Sequence, residues 1–467
     1  MSDQIQKLQQ FANEELGIKP QKPDITLPGL GVQISDTARE IYQLAAAQKG
    51  LFYSNGIVVK LGMDGATGSP KLIPLQPAMA MTEFEKFANF VKPGKPGDKA
   101  KGGILNESIV KAILASGVAR ENLDEIKGLL NRPIPVLRNG QVQTLQSGYN
   151  AVEKLMVAEG TIDEPETLEE AVLMIEGVLV DFSFQTEADK SRAVACLLTP
   201  ALKMGGFITE DTPIHIIEAE ESQTGKGMLL MMRDSIYGDK ALLVPKPTGG
   251  VGSHDELIAT SLFSGRPFVL LDNFRGKLNS SLLESFLTNS GVLMVRIPYS
   301  PAKELDGSFR FLSITSNGME TTEDLTNRAS FIRLVKEKDR EFTMVNGQSI
   351  PRLISAQQPK FMGAITKIIR HYHSQGMPRT AERRHARLEW AQKLDWIVQH
   401  VFALPPLMDG HVLVQQRVNT KDLTFVRAVA IQVEKSSLMG HSLTAQEIVN
   451  LCQTGDIEIP GLSNNGT

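Results

Sequence analysis

The run Glu218–Leu230, EAEESQTGKGMLL, sets a Gly-Lys pair between two apolar segments, IHII before it and GMLLMMRDSI after it. That arrangement suits phosphate chemistry. A strand entering a loop that opens a helix gathers backbone N–H groups and the positive end of the helix dipole at one point, where anionic oxygens are stabilised. Ser222, Gln223, Thr224, Gly225, Lys226, Gly227 and Met228 are the candidate loop residues, with the Lys226 ammonium neutralising the β and γ oxygens of ATP. Only the tail of the pattern Gly-x-x-x-x-Gly-Lys-Ser/Thr is met. Glu220 stands at its first glycine, where glycine permits close phosphate approach, and Gly227 stands at the hydroxyl residue.

Three residues downstream fit the same chemistry. FVLLD puts Asp272 at the end of a buried strand, from which a carboxylate holds Mg²⁺. FLSITSN puts Asn317 at the end of a further strand, where an amide orients an attacking water. Arg328, in DLTNRASFIRL, follows on a polar turn, in the position of an arginine finger directed at a neighbouring subunit's nucleotide. A turn cap, a loop bridge and a surface ion pair are the ordinary readings of the three; their order along the chain favours a nucleotide site. Two substitutions predict slow or altered hydrolysis. Gly227 offers Mg²⁺ no hydroxyl, and Asn273 stands where a glutamate usually takes the proton of the attacking water, which an amide cannot do. Glu218 is the nearest substitute base and Glu221 the next, both otherwise surface carboxylates.

These residues need a scaffold, and the chain from about residue 161 to 345 alternates amphipathic helices with apolar strands: EADKSRAVACLLTPALK, PIHIIEA, KGMLLMMRDSIYG, KALLVPK, SHDELIATSLFSG, PFVLLDNF. The alternation predicts an α/β fold, a mostly parallel sheet with helices on both faces. Residues 1–160 read as a small α/β accessory domain and connector. In it SDTAREIYQLAAAQ is a helix with a Ser N-cap, and turns fall at Ser54–Gly56 and Asn139–Gly140. The Lys-rich VKPGKPGDKAKGG is an exposed loop. Residues 346–467 read as helical, ending in either a plain helical cap or a winged-helix-like element.

At 467 residues and 51.2 kDa, 42% hydrophobic and 22% charged, the composition is that of a folded globular protein of two or three domains. Cys196 and Cys452 sit in apolar patterns and read as reduced core residues. With no signal peptide or membrane span in the sequence, a cytoplasmic protein is expected. The formal charge of −4 supplies no global attraction to nucleic acid, so such binding needs a local basic surface. Between Lys360 and Lys393 eight Lys/Arg face two Glu, and RTAERRHAR groups Arg379, Arg383, Arg384 and Arg387 near one predicted helical face, suited to phosphates or to a neighbouring subunit. No zinc-binding cysteine cluster or polymerase-type carboxylate set accompanies them.

From roughly Glu164 to Lys336 the chain resembles the superfamily 3 type of AAA+ helicase found in phage, plasmid and integrated-element primase-helicases. ESQTGKG, RPFVLLDNFRGKLNSSLLESFLT, FRFLSITSNG and DLTNRASFIRL carry the resemblance, and PVLRNGQVQTLQSGYN extends it more loosely upstream. It implies an AAA+ P-loop core in a hexameric ring that hydrolyses ATP with Mg²⁺ at subunit interfaces and draws single-stranded or forked DNA through a pore. The setting implied is replication of a mobile element or virus, in a bacterium or infected cell, beside a separate primase. It also implies that YSPAKELDG, with Lys303, is the tip of a pore hairpin between VLMVRIP and FRFLSI. Two other readings stay open: an AAA+ ATPase that remodels protein, and a nucleotide-gated structural or regulatory ring with little turnover.

Overall fold

The computed structural model describes residues 22–65, 69–94, 101–219, 221, 224–244, 254–278, 280–288, 292–295, 303–337, 343–419, 421–455 and 457. The chain divides into two compact units, Met1–Leu129 with Tyr149–Met156 and Leu130–Gly148 with Val157–Thr467.

In the first unit, Phe52–Ser54, Ile57–Met63 and Pro70–Pro74 form an antiparallel meander. Its first turn is the expected one: Asn55 at φ 50° and Gly56 at φ 75° supply the paired positive φ of a tight hairpin. Asp24–Thr26 pairs in parallel with Asn89–Val91. Helices Ile34–Ala47, Pro77–Phe87 and Glu107–Ala115 bury Ile41, Tyr42, Phe84, Val110 and Ile113 in one core. The first helix corrects the expected Ser N-cap. It starts at Ile34, with Gln33 as the cap and the Gln33 N–H donating to the Asp36 carboxylate at 3.4 Å, which places Ser35 inside the first turn.

The second unit contains the alternation. Helix α1 (Leu168–Val178) is capped by Thr167 with Glu170 closing the box, and α2 (Glu187–Met204) is capped by Thr186. Pro200 interrupts the ladder of α2, and the Tyr237 hydroxyl repairs it, accepting from the Ala201 N–H and donating to the Leu197 carbonyl. There follow β1 (Ile214–Glu218), α3 (Lys226–Ile236), β2 (Leu242–Val244), α4 (His254–Phe263), β3 (Phe268–Leu278) and α5 (Ser281–Thr288). Next come β4 (Val292–Val295), β5 (Lys303–Asp306), β6 (Phe311–Thr321), α6 (Glu323–Asn327) and β7 (Ala329–Arg333).

Strands β2-β3-β6-β1-β7 make one five-stranded sheet in which every neighbouring pair is parallel. Period-two alternation assigns its faces. Ile214, Ile216, Leu271 and Ile314 pack with Ile258 and Leu262 of α4 and Leu283 and Leu287 of α5. On the opposite face, Arg233 of α3 donates to the Ser313 hydroxyl at 2.7 Å, and Tyr237 packs on Phe268. This is an α/β core, a parallel sheet with helices on both faces.

Helices α7 (Ile350–Ala356), α8 (Gln358–Ser374), α9 (Leu388–His400), α10 (His411–Asn419), α11 (Lys421–Lys435) and α12 (Ala445–Thr454) complete the unit. Thr444 caps α12, with Glu447 closing the box. Two expectations are corrected. FRFLSI is not the return strand of the hairpin, because β5 takes that place, pairing antiparallel with β4, while β6 enters the sheet between β3 and β1. RTAERRHAR is not helical. Its residues lie between α8 and α9, where Pro378 and a set of ion pairs hold an irregular course.

Candidate functional site

Every strand of the sheet points the same way, and open α/β sheets bind ligands beyond the carboxyl ends of their strands. Asp272 and Asn317 lie within β3 and β6, which stay paired as far as Leu278 and Thr321, and not at the strand ends the sequence predicts; β1 stops short, at Glu218, level with Ser316 of β6. The Gly-Lys loop leaves β1 there. Glu220, Ser222 and Gln223 lie outside the described residues. Gly225 caps α3 at φ 88°, a left-handed conformation that L side chains rarely adopt, and a Cβ on it would stand 2.9 Å from the Phe182 ring. Lys226 begins the helix. Its ammonium donates to the Glu221 carbonyl at 3.2 Å and the Thr224 hydroxyl at 3.3 Å, so it lies over its own loop. Gly227 is exposed, and a Cβ there would meet nothing within 4 Å.

Asp272 and Asn273 fall where β3 loses regular register with β6, after Leu271. Asn273 sits at φ 53°, a conformation asparagine tolerates better than glutamate does. Its N–H donates to the Thr315 hydroxyl at 2.7 Å, and that hydroxyl donates to Asp272 Oδ1 at 2.5 Å. Asp272 is exposed while Thr315 is 1% exposed, so a buried side chain fixes a carboxylate that faces solvent. Two residues on, along the same face of β6, Asn317 has a buried Oδ1 with no hydrogen-bond partner among the described residues.

Glu218 is 4% exposed and pairs in register with Ser316 of β6 and Arg333 of β7. Alternation therefore sets it on the face opposite Thr315 and Asp272. Beyond it a buried ion network ties the sheet to α2: Asp189 accepts from Arg192 at 2.7 Å and Arg333 at 3.0 Å, and Arg192 also donates to the carbonyls of Phe331 and Leu407. Burial alone would raise the Asp189 pKa. The arginines and Thr186 outweigh it and hold the carboxyl below its usual value.

Beside the loop opens a cleft of about 390 Å³, lined by Phe182, Met228, Met232, Val335, Met344 and Pro351, with Asp181 and Ser183 as polar groups and Thr224 and Gly225 at the loop side. Of these residues, the sequence reading identified only those of the loop. Met232 follows on α3, and the others come from three distant segments that no local spacing marks as neighbours. A 3.5 Å ion pair between Lys336 and Glu221 joins the loop to the segment after β7.

The remaining candidate residues take other positions. Arg328 follows α6 and is ion-paired with Asp324 of its own chain, with its side chain 23% exposed. Lys303 is the first residue of β5, opposite Val295, rather than the tip of the hairpin; residues 296–302 lie outside the described set, as does the Lys303 side chain. Three of the four arginines after α8 are committed to carboxylates: Arg379 to Glu389, Arg384 to Glu382 and Asp409, Arg387 to Asp211. Arg383 is exposed.

Among the described residues no group of three or more His, Cys, Asp or Glu is gathered for a metal, and no helix is long and apolar enough to cross a membrane. A single exposed carboxylate is the donor set of Mg²⁺ held jointly with water and phosphates, not of zinc.

Neither protein-family models nor curated proteins return a match. Among solved structures, the chain is similar to SCCmec type IV Cch, described as an active helicase, at 12% identity and a TM-score of 0.35, over 88% of this chain and 91% of that one. It is also similar to an apo form of the NrS-1 C-terminal region, at 10% identity and a TM-score of 0.34, over 90% of this chain and 86% of that one.

Proposed function

We propose that the second unit is an ATP-hydrolysing motor of the AAA+ class, related to superfamily 3 helicases, and that it works in a homo-oligomeric ring, hexameric by resemblance, on single-stranded or forked DNA. The process is replication of a mobile element or virus, as initiator-helicase or helicase, beside a separate primase. One observation carries the nucleotide part: the Gly-Lys loop leaves the carboxyl end of β1 level with the stretch of β3 and β6 that holds Asp272 and Asn317, next to an apolar cleft of nucleotide-base size. The ring and the DNA rest on the motif order in the sequence.

In this reading Lys226 exchanges Glu221 and Thr224 for the β and γ phosphates, and the N–H groups opening α3 take the remaining oxygens. Asp272 holds Mg²⁺, which when bound neutralises phosphate charge. The unpartnered Oδ1 of Asn317 accepts from the attacking water and orients it. Arg328 leaves Asp324 to reach a neighbouring subunit's nucleotide, and the β4–β5 hairpin with Lys303 meets DNA. Glu218 is the candidate base, and from the far face it needs a shift of β1 or a bridging water to act.

The test is ATP hydrolysis by the full chain with and without single-stranded DNA, with Lys226→Ala and Arg328→Ala in parallel. The motor reading expects DNA to accelerate turnover and each substitution to remove it. A second reading, a nucleotide-gated ring with little turnover, is favoured by Gly227 and by Asn273 in its left-handed turn. ATP binding without hydrolysis under every DNA condition would select it.

A further inference from the structure

We infer that Thr315 is the positioning residue for Asp272, doing for its carboxylate what a hydroxyl at Gly227 would otherwise do through a shared metal ion. The inference rests on the nucleotide-site reading above. The Ser or Thr that follows the P-loop lysine ordinarily bonds Mg²⁺ and helps to fix the metal opposite the strand carboxylate, and Gly227 stands at that position here. An exposed aspartate at a break in strand register is otherwise free to turn among rotamers, which costs entropy whenever it binds.

The geometry removes that freedom. The Thr315 hydroxyl has one proton, and both its roles are occupied: it accepts from the Asn273 N–H at 2.7 Å, which leaves its proton for Asp272 Oδ1 at 2.5 Å. The accepted bond fixes the direction of the donated one. At 1% exposure the side chain is locked by packing, and the turn that presents the Asn273 N–H exists because asparagine adopts φ 53° there. Asn273 thereby acquires a use that the loss of a catalytic glutamate concealed. The other carboxylate oxygen, Oδ2, has no hydrogen-bond donor among the described residues, so Oδ1 is the anchored atom and Oδ2 the one left for a cation. A hydrogen bond that orients a metal-ligating carboxylate in this way is worth about 10- to 100-fold in metal affinity.

The experiment measures Mn²⁺ bound to the full chain by electron paramagnetic resonance, in the presence of a non-hydrolysable ATP analogue. Thr315→Val keeps the shape and removes the hydroxyl; we expect Mn²⁺ to bind at least about tenfold more weakly, with metal-free binding of the analogue unchanged. Thr315→Ser should restore wild-type affinity, and Thr315→Val in an Asp272→Ala background should cost nothing further. If the valine variant does not fold, Thr315→Ala takes its place in the same cycle. Wild-type Mn²⁺ affinity in the valine or alanine variant, a serine variant as weak as the valine one, or an undiminished loss without Asp272 would each overturn the inference. Lys226→Ala separates the two levels. If the wild-type chain binds no analogue, or binds it without needing Lys226, the nucleotide reading falls; if binding needs Lys226 but Mn²⁺ is indifferent to Thr315, this inference alone falls.

Discussion

Gly225 and Gly227 stand two residues apart and meet different surroundings. Gly225 holds a left-handed φ with the Phe182 ring against it, while the space at Gly227 is open. Gly225→Ala should therefore lower stability by about 1–3 kcal/mol, seen as a fall in Tm, and impair nucleotide binding through the displaced loop. Gly227→Ser should leave Tm unchanged and, by returning a hydroxyl to the loop, lower the Mg²⁺ concentration for half-maximal ATP hydrolysis severalfold. Unchanged Mg²⁺ dependence would show that the missing hydroxyl is not what limits metal binding. Both outcomes follow from backbone conformation and free space, which the letters Gly-Lys-Gly do not distinguish.

At the scale of elements, the knot of Asp189, Arg192 and Arg333 joins the start of α2 to the end of β7. Asp189 and Arg192 are fully buried, so removing the carboxylate strands a charge away from water. Asp189→Ala should cost about 3–5 kcal/mol in chemical denaturation, far more than an exposed ion pair would. The segment of Arg379–Arg387 obeys the same rule at lower stakes. Its predicted helix loses to Pro378 and to carboxylates on other segments, Glu389, Asp409 and Asp211, which hold arginines that one helical face would have aligned. A count of basic residues along the chain cannot register partners that arrive from elsewhere.

At the scale of the unit, three buried histidines make the fold acid-sensitive. Burial pushes His385 down to about 4 and His215 to about 3, and His411 lies well below its ordinary value. Arg233 repels a proton on His215, Arg387 on His385, and Arg192 and Arg333 on His411; Glu382 opposes this at His385. The hydrogen bonds of His385 agree with a neutral ring, since Nδ1 accepts from the Arg387 N–H and Nε2 faces the Ala329 carbonyl. The unfolded chain takes up a proton near pH 6.5 that the folded chain refuses until about 4, so this stability is complete above 6.5 and declines as pH falls through that window. His385 alone accounts for about 2 kcal/mol between pH 7 and 5. Asp234, raised to about 6 mainly by burial, acts in the opposite sense below pH 6, so the difference between wild type and His385→Gln is the quantity to measure. The variant should lose less stability than wild type from pH 7 to 5; equal losses would place the acid sensitivity elsewhere.

Sequence alone determined what depends on near neighbours: the alternation that gives a parallel sheet, the loop between β1 and α3, the asparagine-glycine turns, and the strands that carry Asp272 and Asn317, though not where those strands end. These follow from hydrophobic period and local φ preference, which act over a few residues. Tertiary structure decided the rest. The partner of Asp272 is a threonine on another strand, the cleft beside the loop is assembled from three distant segments, and β5 rather than β6 closes the hairpin. Each depends on register between strands or on packing between segments far apart in the chain, and a side chain's partner is set by what the fold brings within hydrogen-bond distance.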